Sequence, residues 1–330
     1  MPLFVFKLSN ELRSLSRAEF RALIEAEALG RRYEFVGELA IADLGNDESA
    51  RIAERMALLR SWGRILECVE IKKPSELITL VKKLQSEGFC VAIDCIRGFG
   101  KEVVEKALRE GMKMRRCRDG ERVAEVVLSE GLALAYEMKR VKRSYRFGSR
   151  EPHKRPVYLP GTMKAWLARV FVNLARVRRG NTLFDPFCGV GGFALEACSM
   201  GIKCICADID ERMVRGARRN VAYYGCDDMV DICLCDAAQT PVANVDGIAT
   251  DPPYGRMSTP RGYELNQLLM KFVEECVDVV HNHGYIVFAV PEAIDSAIYS
   301  IINKKGLKVV ERLLNWVHGG LVRVLYVIQR

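Results

Sequence analysis

Thr182-Leu183-Phe184-Asp185-Pro186-Phe187-Cys188-Gly189-Val190-Gly191-Gly192 reads as the end of a buried strand entering a tight glycine-rich turn, and Phe193-Ala194-Leu195-Glu196-Ala197-Cys198 as the helix that leaves it. Glycine is needed where the backbone turns sharply and a ligand comes close. Strand, turn and helix in this order open a doubly wound parallel sheet, whose ligands bind at the carboxyl ends of the strands. Dinucleotide-binding turns look similar, but these glycines do not fit Gly-x-Gly-x-x-Gly, and an acid, Asp185, precedes them. A carboxylate there repels a pyrophosphate and accepts hydrogen bonds from an ammonium group.

Strands and helices then alternate to about residue 311, which calls for a parallel sheet. The strand at 203–207 runs into Asp208-Ile209-Asp210, roughly 20 residues past the turn, where such folds place a ribose-hydroxyl acceptor. Asp208 is the candidate, and Asp210 is the expected cap of the next helix. The strand at 230–235 ends in Asp236, placed to accept from an adenine amine, with the Ala237 N–H beside it. A fourth strand, through Gly247-Ile248-Ala249, runs into Thr250-Asp251-Pro252-Pro253-Tyr254-Gly255-Arg256. The prolines cannot extend a ladder, so the strand stops at Asp251 and its carboxylate lies at the sheet edge. A fixed acceptor, a fixed carbonyl and the Tyr254 ring suit a planar base bearing an exocyclic amine. A single Asp after a strand is more often a cap or turn residue; four in register make a site. The tail reads as a strand at 284–290, a helix at 292–303 and a hairpin at 308–317 and 322–328.

Asp251-Pro252-Pro253-Tyr254 resembles the catalytic loop of the amino-methyltransferases, which methylate exocyclic nitrogens with S-adenosylmethionine, a molecule with an α-ammonium and no phosphate. His153-x-Arg155-Pro156, Leu159-Pro160-Gly161-Thr162-Met163, Asp185-Pro186-Phe187-Cys188-Gly189, the Asp251–Arg256 loop and His318…Arg323 together resemble the THUMP-containing tRNA guanine-N2 methyltransferases of the archaeal type acting on guanosine 10. One departure is His318-Gly319-Gly320, where that family has a hydroxyl residue after the His. The resemblance implies a class I, Rossmann-like α/β methyltransferase domain behind an α+β THUMP/ferredoxin-like RNA-binding region. It divides the chain into an N-terminal segment at 1–43 packing with the THUMP domain, THUMP at 44–147, a linker at 148–160 and the methyltransferase domain at 161–330. It implies that Thr162, Asp185, Pro186, Phe187, Gly189, Asp208, Ile209, Asp236, Ala237 and Asp251 hold the cofactor, and that Asp251, Pro252, Pro253 and Tyr254 carry catalysis on the N2 amine. An adenine or cytosine amine, or guanine elsewhere in RNA, fits the same loop, so the target remains open at this level. A redox dinucleotide binder is disfavoured by Asp185.

The remaining features bound the surroundings. Lys and Arg number 50 against 42 Asp and Glu, a formal charge of +8, which favours a polyanionic partner. Arg115, Arg116 and Arg118, then Lys139, Arg140, Lys142 and Arg143 with Tyr145 and Phe147 interleaved, suit phosphate contact and stacking on unpaired bases. We expect tRNA as partner, a monomeric chain, no membrane and a cytoplasmic location; no signal-peptide layout opens the sequence. Expected N-terminal elements include a helix started by a Ser16-Arg17-Ala18-Glu19 capping box, a basic helix at 101–114, and small α+β units in place of one extended sheet. Thr162 is expected as the N-cap of the helix carrying Trp166, Leu167, Val170 and Phe171. The 12 cysteines show no Cys-x-x-Cys, and with 4 scattered histidines they suggest neither metal nor disulfides. They read as small buried hydrophobes.

Overall fold

The computed structural model describes residues 2–98, 100–253, 265–318 and 321–330. The chain folds as two units: Met1–Arg17, Ala28–Glu54 and Leu58–Lys142 form one, and Ala18–Glu27, Arg55–Ala57 and Arg143–Arg330 the other.

The amino-terminal half carries β1 (Leu3–Leu8), α1 (Arg13–Glu27), β2 (Tyr33–Val36), β3 (Leu39–Asp43), α2 (Asn46–Arg55), β4 (Leu59–Glu70), α3 (Pro74–Ser86), β5 (Cys90–Cys95), α4 (Lys101–Arg109), β6 (Val123–Ser129), β7 (Leu132–Glu137) and β8 (Lys139–Arg140). The expectation of small separate units is overturned. All eight strands form one sheet, in the order β2-β3-β1-β4-β7-β6-β5, with β8 also on β4. The 12-residue β4 makes this possible. One edge of it pairs with β1; the other pairs with β8 at Ser61 and Trp62, then with β7 from Ile65 onward. Gly63 sits at the changeover, where a Cβ would lie 1.8 Å from the Glu137 carbonyl oxygen, so only glycine fits. The buried Lys7 of β1 ties distant strands together, bonding Asp94 of β5 and, at 2.8 Å, Glu125 of β6.

Local corrections follow from tertiary contacts. Ser16 lies inside α1, which starts at Arg13, so no capping box forms there. The Ser16 hydroxyl donates to the carbonyls of Ser9 and Arg13, each at 3.0 Å. Glu19 is buried, and its Oε1 accepts from the Ala57 N–H and the Asn173 Nδ2, both at 2.8 Å. The basic helix stops at Arg109, because Gly111 N and Met112 N turn back to the Leu108 and Ala107 carbonyls.

The second unit continues with α5 (Arg143–Phe147), α6 (Ala165–Leu174), β9 (Thr182–Asp185), α7 (Gly192–Cys198), β10 (Lys203–Asp208), α8 (Glu211–Tyr223), β11 (Val230–Leu234), β12 (Val245–Thr250), α9 (Leu265–Val279), β13 (Val280–Pro291), α10 (Asp295–Lys304), β14 (Lys308–His318) and β15 (Leu321–Gln329). Its sheet runs β11-β10-β9-β12-β13-β15-β14. Strands β9 to β13 pair in parallel, and the terminal hairpin is antiparallel. The expected doubly wound sheet and tail hairpin are both present. Phe184, Ile248, Ile286, Phe288 and Tyr326 from successive strands pack on Leu269, Phe272 and Val273 of α9. Residues 18–27 and 55–57 belong to this unit through a buried polar web. Arg55 donates to Glu27 Oε1 at 2.7 Å, Asn173 Oδ1 at 3.1 Å and the Val177 carbonyl at 2.7 Å.

The cysteine expectation is also corrected. Disulfides join Cys90 to Cys117 and Cys198 to Cys226. Partners 27 and 28 residues apart leave no local signal; tertiary placement alone brings the ends of α7 and α8 together. Closing a loop of that length stabilises by about 3.5 kcal/mol in the chain-entropy account. The double variant Cys198→Ser/Cys226→Ser is therefore expected to melt about 10 °C lower in calorimetry. An unchanged Tm would mean that the bridge adds nothing to the folded chain. The Glu121 carboxylate lies with Cys90 and Cys117, but those sulfurs are bonded to each other and Glu121 is held by Arg115, so the group is spent as a metal site. No helix among the described residues is long and apolar enough to cross a membrane.

Candidate active site

Strands β9 and β12 lie side by side, and the chain leaves them toward opposite edges of the sheet, which makes their carboxyl ends the switch point. Asp185 ends β9 and is fully buried. Its Oδ1 accepts from the Thr250 hydroxyl at 2.6 Å and from the Phe187 N–H at 3.4 Å. Its Oδ2 is buried with no hydrogen-bond partner. Burial, with the nearby charges of Asp208 and Asp251 adding to it, pushes this carboxyl up to about 8. A sealed, unpaired carboxylate oxygen is costly unless a cation arrives.

The turn after β9 is built as a cradle. Gly191, at φ 85, occupies the left-handed region that side chains avoid and starts α7. The Gly189 N–H donates to Asp208 Oδ2 at 2.9 Å, and the Asp210 N–H donates to Asp208 Oδ1 at 2.9 Å. Burial raises the Asp208 carboxyl too. Asp210 caps α8 as expected, accepting from the Arg212 N–H at 2.8 Å. Asp236 lies two residues past β11 and folds its own turn, accepting from the Ala238 N–H at 2.9 Å. Ala237 is buried, whereas Ile209 offers an apolar side chain, 48% exposed, just past β10.

Asp251 follows β12 directly, next to Thr250. Pro252 is buried and Pro253 half-buried. Tyr254 lies outside the described residues. Three acids thus share one edge: Asp185, Asp208 and Asp251 are near enough for the last two to act on the first. Asp236 lies past the end of β11, the outermost parallel strand. Thr162 is not the helix N-cap. Lys164 holds that position, and the Thr162 hydroxyl closes the preceding turn by donating to the Leu159 carbonyl at 2.7 Å. The tail supplies what sequence reading missed. Arg323 on β15 points Nη1 at Asp251, 3.4 and 3.2 Å from its two oxygens, and its Nε donates to Asn315 Oδ1 at 2.9 Å. The available signal was a charged residue inside the apolar run Val322-Arg323-Val324-Leu325, which demands a buried partner.

The residue set fits S-adenosylmethionine in its donor chemistry. Asp185 Oδ2 is an unpaired acceptor suited to an ammonium. Among the basic residues, Arg115 is clasped by Glu121 at 2.9 and 2.7 Å, and Lys139 Nζ sits 4.6 Å from the Trp62 ring centre. Arg143 stacks at 5.2 Å on Trp166. Arg116, Arg118, Arg140 and Lys142 are exposed.

Residues 152–324 match the family model described as UPF0020, RMKL-like, methyltransferase domain. The chain is 34% identical over 253 residues to the tRNA (guanine(10)-N2)-dimethyltransferase of Methanocaldococcus jannaschii, covering 72% of this chain and 70% of that one. It is 28% identical over 352 residues to the enzyme of the same name from Pyrococcus abyssi, covering 99% of both. The match to the Methanothermobacter thermautotrophicus relative, 35% over 206 residues, spans 60% of that protein's length. The solved structure of TrmN from Thermus thermophilus superposes with a TM-score of 0.57 at 18% identity, over 99% of both chains, and so shares the fold. This chain therefore belongs to the RMKL-like methyltransferase family, alongside relatives named for tRNA guanine-N2 methylation, and its cofactor is S-adenosylmethionine.

Proposed function

We propose that the protein methylates the N2 amine of guanosine 10 in tRNA, once or twice. The observation that carries this reading is the Thr250 hydroxyl bond, which fixes an unpaired ammonium acceptor, Asp185, beside the Asp-Pro-Pro carboxylate. S-Adenosylmethionine supplies an activated methyl group on a sulfonium. Asp185, the Pro186–Gly189 turn, Asp208 with Ile209, Asp236 with Ala237, and Thr162 hold that cofactor. Asp185 Oδ2, buried and unpaired, is the acceptor that the cofactor's ammonium would take.

The guanine 2-amino lone pair is delocalised into the ring and is a poor nucleophile. The Asp251 carboxylate and the Pro252 carbonyl accept its two N–H bonds, which draws the nitrogen toward tetrahedral geometry and frees the lone pair. Preorganised acceptors of this kind contribute roughly 10²-fold or more in rate. Asp251 then takes the released proton, and Tyr254 stacks on the base. The amine must leave its pair to be reached, so the nucleotide is unpaired or flipped.

In this reading, 44–147 is a THUMP domain, joined by a linker at 148–160 to the catalytic domain at 161–330. It places tRNA through phosphate contacts of Arg115, Arg116, Arg118, Lys139, Arg140, Lys142 and Arg143. The chain acts as a monomer in the cytoplasm. The test is mass spectrometry of nucleosides from tRNA incubated with the protein and labelled S-adenosylmethionine. The expected product is N2-methylguanosine or N2,N2-dimethylguanosine, lost when the substrate carries adenosine at position 10. Label in N6-methyladenosine or a methylated cytosine amine would overturn the substrate assignment.

A further inference from the structure

We infer that Arg323 and Asn315, on the two strands of the terminal hairpin, are positioning residues that charge-pair Asp251 and fix the direction of its carboxylate. This rests on the role proposed above for Asp251. Arg323 is 6% exposed and Asn315 7% exposed, so both polar groups are held away from water. Asn315 and Arg323 are register partners across the hairpin. The Asn315 Oδ1 takes the Arg323 Nε, which fixes the plane of the guanidinium, and Nη1 is left directed at both Asp251 oxygens.

Asp251 follows the last residue of β12 and precedes two prolines, so its backbone is held on both sides and its side-chain torsions are what is left to fix. Its side chain, 20% exposed, is oriented by this contact from two strands away. Asp185, on β9, is close enough for the Asp251 charge to act on it. Arg323 sets a guanidinium 3.2 Å from the Asp251 carboxylate. An apolar residue would serve packing as well here, since buried ion pairs rarely add net stability over apolar groups of the same volume. What the pair adds is a cation beside the acceptor carboxylate and a fixed direction for its oxygens.

The test uses the full chain with tRNA and S-adenosylmethionine, reading kcat, both KM values and Tm. Arg323→Gln is expected to lower kcat about 100-fold with both KM values within about threefold of wild type, whereas Arg323→Lys, which keeps the charge, recovers to within about tenfold. Asn315→Ala leaves the cation in place but frees its plane, and is expected to lower kcat about tenfold at unchanged KM. It serves if Arg323→Gln does not fold. Wild-type kcat in Arg323→Gln or in Asn315→Ala overturns the inference. So does equal slowing of Arg323→Gln and Arg323→Lys, which would assign the arginine to packing alone. An inactive Asp251→Asn beside a fully active Arg323→Gln defeats only this inference; a wild-type chain that methylates no guanine amine defeats the proposed function instead.

Discussion

Asp251→Asn is expected to cut methyl transfer about 10³-fold while the chain still folds and still binds cofactor and tRNA to within a few-fold of wild type. The amide keeps the shape of the carboxylate and one acceptor oxygen, but carries no charge and cannot take a proton. Asp251→Ala is expected to lose transfer as completely and stability as well. Arg323 is 7% exposed in its side chain, and deleting Asp251 removes the carboxylate that faces its Nη1. Breaking a buried pair costs about 3–5 kcal/mol; the partial exposure of Asp251 places this one near the lower end. Single-turnover assays with labelled cofactor give the first quantity and thermal melts the second. Turnover by Asp251→Asn within tenfold of wild type would remove the carboxylate from the chemistry. Equal Tm values for the two variants would remove Arg323 as its buried partner.

The two variants part because the site is made by strands that sequence reading treats unequally. The parallel half was legible. Asp185, Asp208 and Asp251 each end or follow an apolar strand, and adjacent pairing brings them to one edge. Asp236 was legible as a position, although in the structure it closes its own turn with the Ala238 N–H. Arg323 was visible in a motif and as a charge inside an apolar run, but its partner was not, because a side-chain contact two strands away has no signature in local spacing. The same reason hid both disulfides and the joining of the N-terminal strands into one sheet. That sheet depends on β4 exchanging β8 for β7 along one edge, where Gly63 admits the Glu137 carbonyl. Ser16 and Thr162 failed differently. Each carries the chemistry of a cap, and each spends its hydroxyl on a nearby carbonyl instead, Ser16 inside α1 and Thr162 in the turn before α6.

Asp185→Asn is expected to weaken cofactor binding by about 100-fold or more and, at alkaline pH, to stabilise the cofactor-free chain. Both effects have one origin. Burial and the charges of Asp208 and Asp251 push the Asp185 carboxyl up to about 8, far above an unfolded aspartate. Between roughly pH 4 and 8 the folded chain therefore holds a proton that the unfolded chain has released. Stability from this group is fully present below the unfolded value and is lost as pH rises through the folded one. The amide variant has no proton to lose, so its Tm relative to wild type should climb from pH 5 to pH 9, by a difference of at most about 5 kcal/mol in free energy. Cofactor reverses the comparison. Its ammonium compensates the ionised Asp185, whereas the amide offers a dipole and no charge, so ligand-induced stabilisation should be large in wild type and small in Asp185→Asn. Titration calorimetry with S-adenosylhomocysteine and melts across the pH range measure the two halves separately. Wild-type affinity in the variant would move the ammonium elsewhere, and a Tm difference that stays flat with pH would mean that Asp185 is ionised in the folded chain without its partner. The Thr250 hydroxyl bonds Oδ1 of Asp185, and Asp251 is the next residue along the chain. Loss of the Asp185 charge should therefore be felt first as lost cofactor affinity, with Asp251 and its arginine left in place.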